Sequence, residues 1–119
     1  MLLSIIIPIH NEILYIPKSF ESIILAGSEI ESEFFFVDGL SNDGTYEWIK
    51  KEIKKIDNCR LILNKEKYVS HGFNVAFNDT KGEFISRVDG HTIYPKYYFS
   101  KAIDIFSKNN VDVVGGPAN

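Results

Sequence analysis

"EFFFVDG", residues 33 to 39, sets four apolar side chains in a row and then stops on an acid and a glycine. A strand with one wet face would alternate apolar and polar positions. This run does not, so both of its faces must be covered, as in a parallel sheet between helices. Upstream, "LLSIIIPI" (2 to 9) is a second run of this kind, and its Pro8 belongs at a strand end because proline cannot donate to the ladder. Between the two, Ile16-Pro17 suits a first helical turn, and Phe20, Ile23 and Ile24 form an apolar stripe.

The alternation continues downstream. After "LSNDG", the spacing predicts a helix that turns Trp48, Ile49, Ile53 and Ile56 inward and the lysines of "KKEIKK" toward solvent. "RLILN" (60 to 64) reads as a third strand. Ser70 then caps a short helix with Phe73, Ala76 and Phe77 on one face, ended by Asn78-Asp79 and Lys81-Gly82. "EFISRV" (83 to 88) is a fourth strand, Pro95 opens a helix with Phe99, Ala102, Ile103 and Phe106 buried, and "VDVVGG" (111 to 116) is a fifth strand. Strands joined by helices imply βαβ units with right-handed crossovers, hence an α/β three-layer sandwich with a mainly parallel sheet.

The 119 residues suit one domain, and 45% apolar with 24% charged residues is a globular composition. A net charge of −3 gives no reason to expect nucleic acid as a partner. The single cysteine, Cys59, has no internal disulfide partner, which points to a packed thiol in a reducing compartment. No apolar run is long enough to span a bilayer and the start lacks the marks of a signal peptide, so a soluble, cytoplasmic chain is expected.

Open α/β sheets bind ligands beyond the carboxyl ends of their strands. Three expected strand ends carry polar clusters: Pro8-Ile9-His10-Asn11-Glu12, Asp38-Gly39 and Asp89-Gly90-His91. The opposite ends carry little beyond ordinary loop residues. Each cluster also has a plain reading. Asp38-Gly39 suits a tight turn, with Asp43 or Thr45 capping the next helix, and Asn11-Glu12 suits a loop and helix start. Turn chemistry gives less reason for a histidine after Asp89-Gly90, while His71 reads as an ordinary surface histidine. A carboxylate with an imidazole two residues on can hold Mn2+ or Mg2+ and leave positions for phosphate oxygens. A second carboxylate, Asp38, expected on the neighbouring strand, can accept from a base N–H or ribose hydroxyls. Neither G-x-G-x-x-G nor a P-loop is present.

"SIIIPIHNE" (4 to 12), "FFFVDGLSNDGT" (34 to 45) and "SHGFNVAFNDTKGEFISRVDGHTIYP" (70 to 95) resemble, in order, the successive blocks of family 2 glycosyltransferases. The resemblance implies the GT-A fold, a Rossmann-like nucleotide-diphospho-sugar transferase architecture. It also implies transfer of a sugar, by a hexosyltransferase-type enzyme, from a nucleotide-diphosphate sugar to a glycan or lipid-linked acceptor with inversion. The donor is expected to be a UDP-sugar, and the setting surface polysaccharide or envelope biosynthesis. Carried over to this sequence, the donor-binding residues would be Pro8, His10, Asn11, Glu12, Asp38, Gly39 and Asp89, with Arg87 facing either the diphosphate, as a further donor contact, or only the solvent. The metal ligands would be Asp89 and His91, for Mn2+ or Mg2+. The family's D-x-D block is D-G-H here, which together with the following tyrosine and proline is similar to the branch of succinoglycan-biosynthesis transferases. Histidine brings no charge and binds Mg2+ less readily than a carboxylate, which favours Mn2+ or a weaker metal dependence. Asn74 and Gly82 match family positions too, with a helix polar contact and a turn as their structural roles.

Inverting transfer needs a base for the acceptor hydroxyl, and the family supplies a carboxylate well beyond the D-x-D block. Asp104 lies off its helix's apolar stripe and Asp112 starts a strand at the far end, so the catalytic residue is unassigned. The expectation is that residues 1–119 form the nucleotide-sugar-binding part of a glycosyltransferase domain without the acceptor part. Any membrane association, at the inner face of the cell membrane, falls to regions outside this chain. Two alternatives fit an α/β chain of this length less well. A signalling receiver would need an acidic pair after the first strand, an aspartate after the third and a lysine after the fifth, where this chain has His10-Asn11-Glu12, Asn64 and Gly115-Gly116. A nucleotidyltransferase would need a glycine-rich basic loop after the first strand.

Overall fold

The computed structural model describes residues 2–65, 74, 76–108 and 114–115, with side-chain surroundings given up to residue 105. In chain order the elements are β1 (Leu3–Ile9), α1 (Ile16–Gly27), β2 (Ser32–Asp38), α2 (Thr45–Glu52) with a 3-10 turn at Ile53–Lys55, β3 (Cys59–Leu63), β4 (Phe84–Arg87), α3 (Tyr98–Lys108) and β5 (Val114–Gly115). They build one sheet, ordered β3-β2-β1-β4-β5, with every pairing parallel. Ser70, His71, Phe73, Asp112 and the side chain of Phe106 lie outside the described residues.

The two apolar runs behave as runs buried on both faces. Leu3, Ile5, Ile7 and Ile9 of β1 join Phe34 and Phe36 of β2 under Ile16, Phe20 and Ile23 of α1, Ile49 of α2 and Phe99 of α3. On the other face Ile6, Phe35 and Val37 pack with Ala76, flanked by Ile62 and Ile85. Asn74, Ala76 and Phe77 are helical, so helical chain covers both faces of the sheet. Trp48, Ile53 and Ile56 pack against the core as expected, and Lys50, Lys51, Lys54 and Lys55 are exposed. The helix expected from Pro95 begins later, at Tyr98, after a turn in which the Tyr98 N–H donates to the Pro95 carbonyl at 3.0 Å.

Two expectations are corrected. Asp38 and Asp89 do not end neighbouring strands, because β1 lies between β2 and β4. Nor is the opposite end of the sheet chemically plain. Glu33, only 6% exposed, accepts from the Ser4 hydroxyl at 2.5 Å and from the Lys81 N–H at 2.6 Å, while the Gly82 N–H donates to Ser4 Oγ at 2.8 Å. This buried carboxylate pins the approach to β4 onto β1 and β2. Gly82 is there because the chain crosses β1 closely: a Cβ would meet Ser4 N at 2.5 Å.

The chain runs outward from β1 to β3, then returns to β4 on the other side of β1. The strand order therefore reverses between β1 and β4, where the crevice of such a sheet lies.

Candidate functional site

Register brings the strand ends level: Ile9 pairs with Asp38 and Asp38 with Leu63. Past those ends the loop after β1 and the loop after β2 are bonded along their length. The Gly39 N–H donates to the Ile9 carbonyl at 2.8 Å, and His10 Nδ1–H donates to the Gly39 carbonyl at 2.6 Å. Asn11 Nδ2–H donates to His10 Nε2 at 3.3 Å, the Asn11 N–H to Ser41 Oγ at 2.8 Å, and the Asn42 N–H to Asn11 Oδ1 at 2.8 Å. The Glu12 N–H donates to Thr45 Oγ1 at 2.9 Å and the Ile13 N–H to Asp43 Oδ2 at 3.3 Å.

Holding that pair of loops requires left-handed backbone at Asn11 (φ 52), Leu40 (φ 59) and Gly44 (φ 100). Asparagine tolerates this region, whereas a leucine there is strained by about 1–3 kcal/mol. Asp38, 1% exposed, accepts from the Ser41 hydroxyl at 2.6 Å and the Ser41 N–H at 2.9 Å, so it organises the turn that follows it. Burial alone would push the Asp43 carboxyl up. The Thr45 hydroxyl and the amides of Thr45 and Ile13 outweigh that and hold it below the usual carboxylate range.

The third loop follows β4. Asp89 Oδ1 accepts the His91 N–H at 3.0 Å, and Oδ2 accepts the Thr92 hydroxyl at 2.9 Å. Burial pushes this carboxyl up too, but the Thr92 hydroxyl, the His91 amide and the His91 ring bring it below its ordinary value. Gly90 does not serve a left-handed turn. It is buried against β1, and a Cβ there would sit 2.4 Å from Ile9 Cγ2. Close approach excludes every other residue and leaves the Asp89 and His91 side chains, 43% and 57% exposed, beyond the end of β4 beside β1.

Two serines of α1 fasten this loop. The Ser19 hydroxyl, fully buried, donates to the Gly90 carbonyl at 2.6 Å, and the Tyr94 N–H donates to Ser22 Oγ at 3.0 Å. The Tyr94 hydroxyl accepts the Asp89 N–H at 3.2 Å. Ser19, Ser22, Ser41 and Thr92 were not singled out in the sequence, Thr45 was read only as a helix cap, and Tyr94 only as the tyrosine that follows D-G-H. The signal available for Tyr94 was its place between Asp89 and Pro95.

Of the expected site residues, His10, Asn11, Glu12 and Gly39 fall in the two bonded loops, Asp38 ends β2 at their base, and Asp89 and His91 fall in the third loop. Glu12 joins the first and third, with Oε2 at 3.1 Å from His91 Nδ1. Pro8 lies within β1, paired with Val37, and Arg87 ends β4 half-buried, paired with Ile6. Among the described residues, no three His, Cys, Asp or Glu side chains are gathered as a ready metal cage. Asp89 and His91, both accessible, suit an ion that completes its shell with ligand oxygens.

Comparison with known proteins assigns the chain a family and a fold. The family model for glycosyl transferase family 2 matches residues 4–118, and the chain belongs to that family. A relative from Methanococcus voltae, the dolichyl N-acetyl-alpha-D-glucosaminyl phosphate 3-beta-D-2,3-diacetamido-2,3-dideoxy-beta-D-glucuronosyltransferase, is 32% identical over 102 residues, covering 83% of this chain and 32% of the relative. Residues 1–349 of TarS from S. aureus, solved with UDP-GlcNAc, superpose with a TM-score of 0.73 at 23% identity, covering 92% of this chain and 32% of TarS. The mannosyltransferase PcManGT from Pyrobaculum calidifontis, solved with GDP-Man and Mn2+, gives 0.78 at 20% identity, covering 88% of this chain and 32% of that one. At those identities the likeness shows the fold, which is GT-A. The chain spans about a third of the length of these proteins. No helix among the described residues is long and apolar enough to cross a membrane.

Proposed function

We propose that residues 1–119 are the donor side of an inverting glycosyltransferase, binding a nucleotide-diphosphate sugar in the crevice between β1 and β4. The observation that carries this reading is the Asp89-Gly90-His91 loop, packed on Ile9 with its two polar side chains accessible beside the bonded loops of β1 and β2. In a family 2 chain, that is where a diphosphate would meet its counter-charge.

His10, Asn11, Glu12 and Gly39 would form the floor under the base and ribose, shaped by Pro8, and Arg87 would add positive charge from β4. Asp38 would read a base N–H by exchanging one of its bonds from Ser41. Asp89 and His91 would hold a divalent cation, Mn2+ in preference to Mg2+, whose chemistry is to neutralise the diphosphate as it departs. The D-G-H block aligns the chain with the succinoglycan-type branch. That in turn supports a glycan or lipid-linked acceptor, a role in surface polysaccharide synthesis, and work in the cytoplasm at the membrane's inner face. The acceptor site and the base for its hydroxyl would lie outside these residues.

The test is calorimetric titration of this chain with UDP-, GDP- and dTDP-sugars, with and without Mn2+. One donor should bind, and Asp38→Ala and Asp89→Ala should each weaken it by about 1–3 kcal/mol, the worth of a charged hydrogen bond. Metal dependence should vanish only in the Asp89 variant. Unchanged titrations in both variants would sink the assignment.

A further inference from the structure

The Glu12 carboxylate reaches across from the loop after β1 to the loop after β4. It lies over Gly90, where a Cβ would come within 3.6 Å of Glu12 Cγ and Oε2, and reaches His91 Nδ1 with Oε2 at 3.1 Å. The other carboxylate on that side of the ring, Asp89 Oδ1, is 3.6 Å from the same nitrogen, beyond hydrogen-bond range. Tyr15 adds an edge-to-face ring contact with centroids 6.4 Å apart. The backbone of Glu12 is itself held, through its N–H, by Thr45 of α2.

An ionised carboxylate only accepts hydrogen bonds, so the nitrogen facing it must carry the proton. A neutral imidazole with hydrogen on Nδ1 has its lone pair on Nε2. This is the reverse of the free side chain, which prefers hydrogen on Nε2. We infer that Glu12 is a positioning residue: it fixes the Nδ1–H tautomer of His91 and so presents the Nε2 lone pair to the metal at the diphosphate. The inference rests on the donor-site reading for its ligand, and on geometry alone for the tautomer. It also gives the D-G-H block a physical sense. Where D-x-D places a second charged oxygen, this chain places a ring nitrogen oriented by a carboxylate behind it, an arrangement common to metal-bound histidines.

Two measurements on this chain separate the inference from the reading beneath it. Long-range 1H–15N spectra, taken without metal or nucleotide at a pH well above the ordinary histidine range, report which nitrogen of His91 holds the proton. The Nδ1–H form should dominate in the wild type and in Asp89→Asn, and should give way to Nε2–H in both Glu12→Ala and Glu12→Leu. A wild-type ring with hydrogen on Nε2, or on both nitrogens, would overturn the inference and leave the donor reading standing. So would a tautomer that changes in Asp89→Asn and not in the Glu12 variants. The second measurement is Mn2+ affinity in the presence of UDP, read from the electron paramagnetic resonance signal of free Mn2+. Loss of a carboxylate behind a ligating histidine costs roughly 10- to 100-fold in affinity, and that loss is expected in both Glu12 variants. Switched tautomers with unchanged Mn2+ affinity would overturn the metal-facing role. A wild type that binds neither UDP nor Mn2+ would overturn the donor reading, and the metal half of this inference with it.

Discussion

The Tyr94 hydroxyl accepts the backbone N–H of Asp89 at 3.2 Å and lies 3.5 Å from Asp89 Oδ2, so a largely buried phenol holds both the main chain and the side chain of the acid that follows β4. Burial, with the Asp89 charge close by, pushes that phenol up to about 12. A raised folded value means that the stability it gives is complete below the unfolded value near 10 and is lost as pH rises from there through about 12. Tyr94→Phe should lower stability by about 1 kcal/mol at neutral pH and flatten the fall in stability across that alkaline window. Urea unfolding at a series of pH values measures both. A fall of unchanged steepness in the variant would mean that another group is responsible.

Gly90→Ala should damage the site more than its single methyl suggests. The new Cβ falls 2.4 Å from Ile9 Cγ2, inside a packed layer. Overpacking of this kind costs about 1–3 kcal/mol, and it should lift the Asp89–His91 loop away from β1. Ile9→Ala removes the opposing atom, so the double variant should be less destabilised than the sum of the two single changes. Additive losses in thermal unfolding would show that Gly90 is there for another reason.

At the other end of the sheet, Ser4→Ala removes one of the two donors to the buried Glu33 carboxylate and the acceptor for the Gly82 N–H. A buried group left short of a partner costs about 1–3 kcal/mol. The proposed donor site lies at the opposite ends of the strands, so nucleotide affinity should be unchanged while the unfolding midpoint falls. A loss of affinity at full stability would contradict that separation.

Cys59, at the start of β3, has its thiol pushed up to about 12 by burial. The thiolate is the reacting species, so modification at pH 8 should be far slower than for a free cysteine, and denaturant should release it. Alkylation followed by mass spectrometry decides the point. Rapid labelling of the native chain would place the thiol at an open surface.

Much of the fold was legible because β1 and β2 bury both faces, which writes them into the sequence as unbroken apolar runs. The place of the Asp89-Gly90-His91 loop was legible because the strand-like run "EFISRV" ends there. What was not legible depended on partners far along the chain. Glu33 reads as the polar start of a strand until Ser4 and the Lys81 amide are brought to it. Gly90 reads as a turn residue until Ile9 is beside it, and nothing in the tyrosine before Pro95 tells of the Asp89 amide that its hydroxyl meets. The adjacency of Asp38 and Asp89 was misjudged because strand order in space is not chain order. Asp38 combines two readings: it ends its strand at the site, and it is also the acceptor that shapes its own turn.

The central place of β1 has a consequence for how the chain is made. Leaving the ribosome, Leu3–Ile9 can pair with Ser32–Asp38 almost at once, but its second edge waits for Phe84–Arg87, far later in synthesis. Until then the nascent protein carries a strand of almost wholly apolar side chains with a row of unpaired amides and carbonyls, a template for joining another copy edge to edge. Slow translation through the residues between β3 and β4 would prolong that window, and yield in a cell would then depend on chaperone supply more than on the strength of the finished sheet.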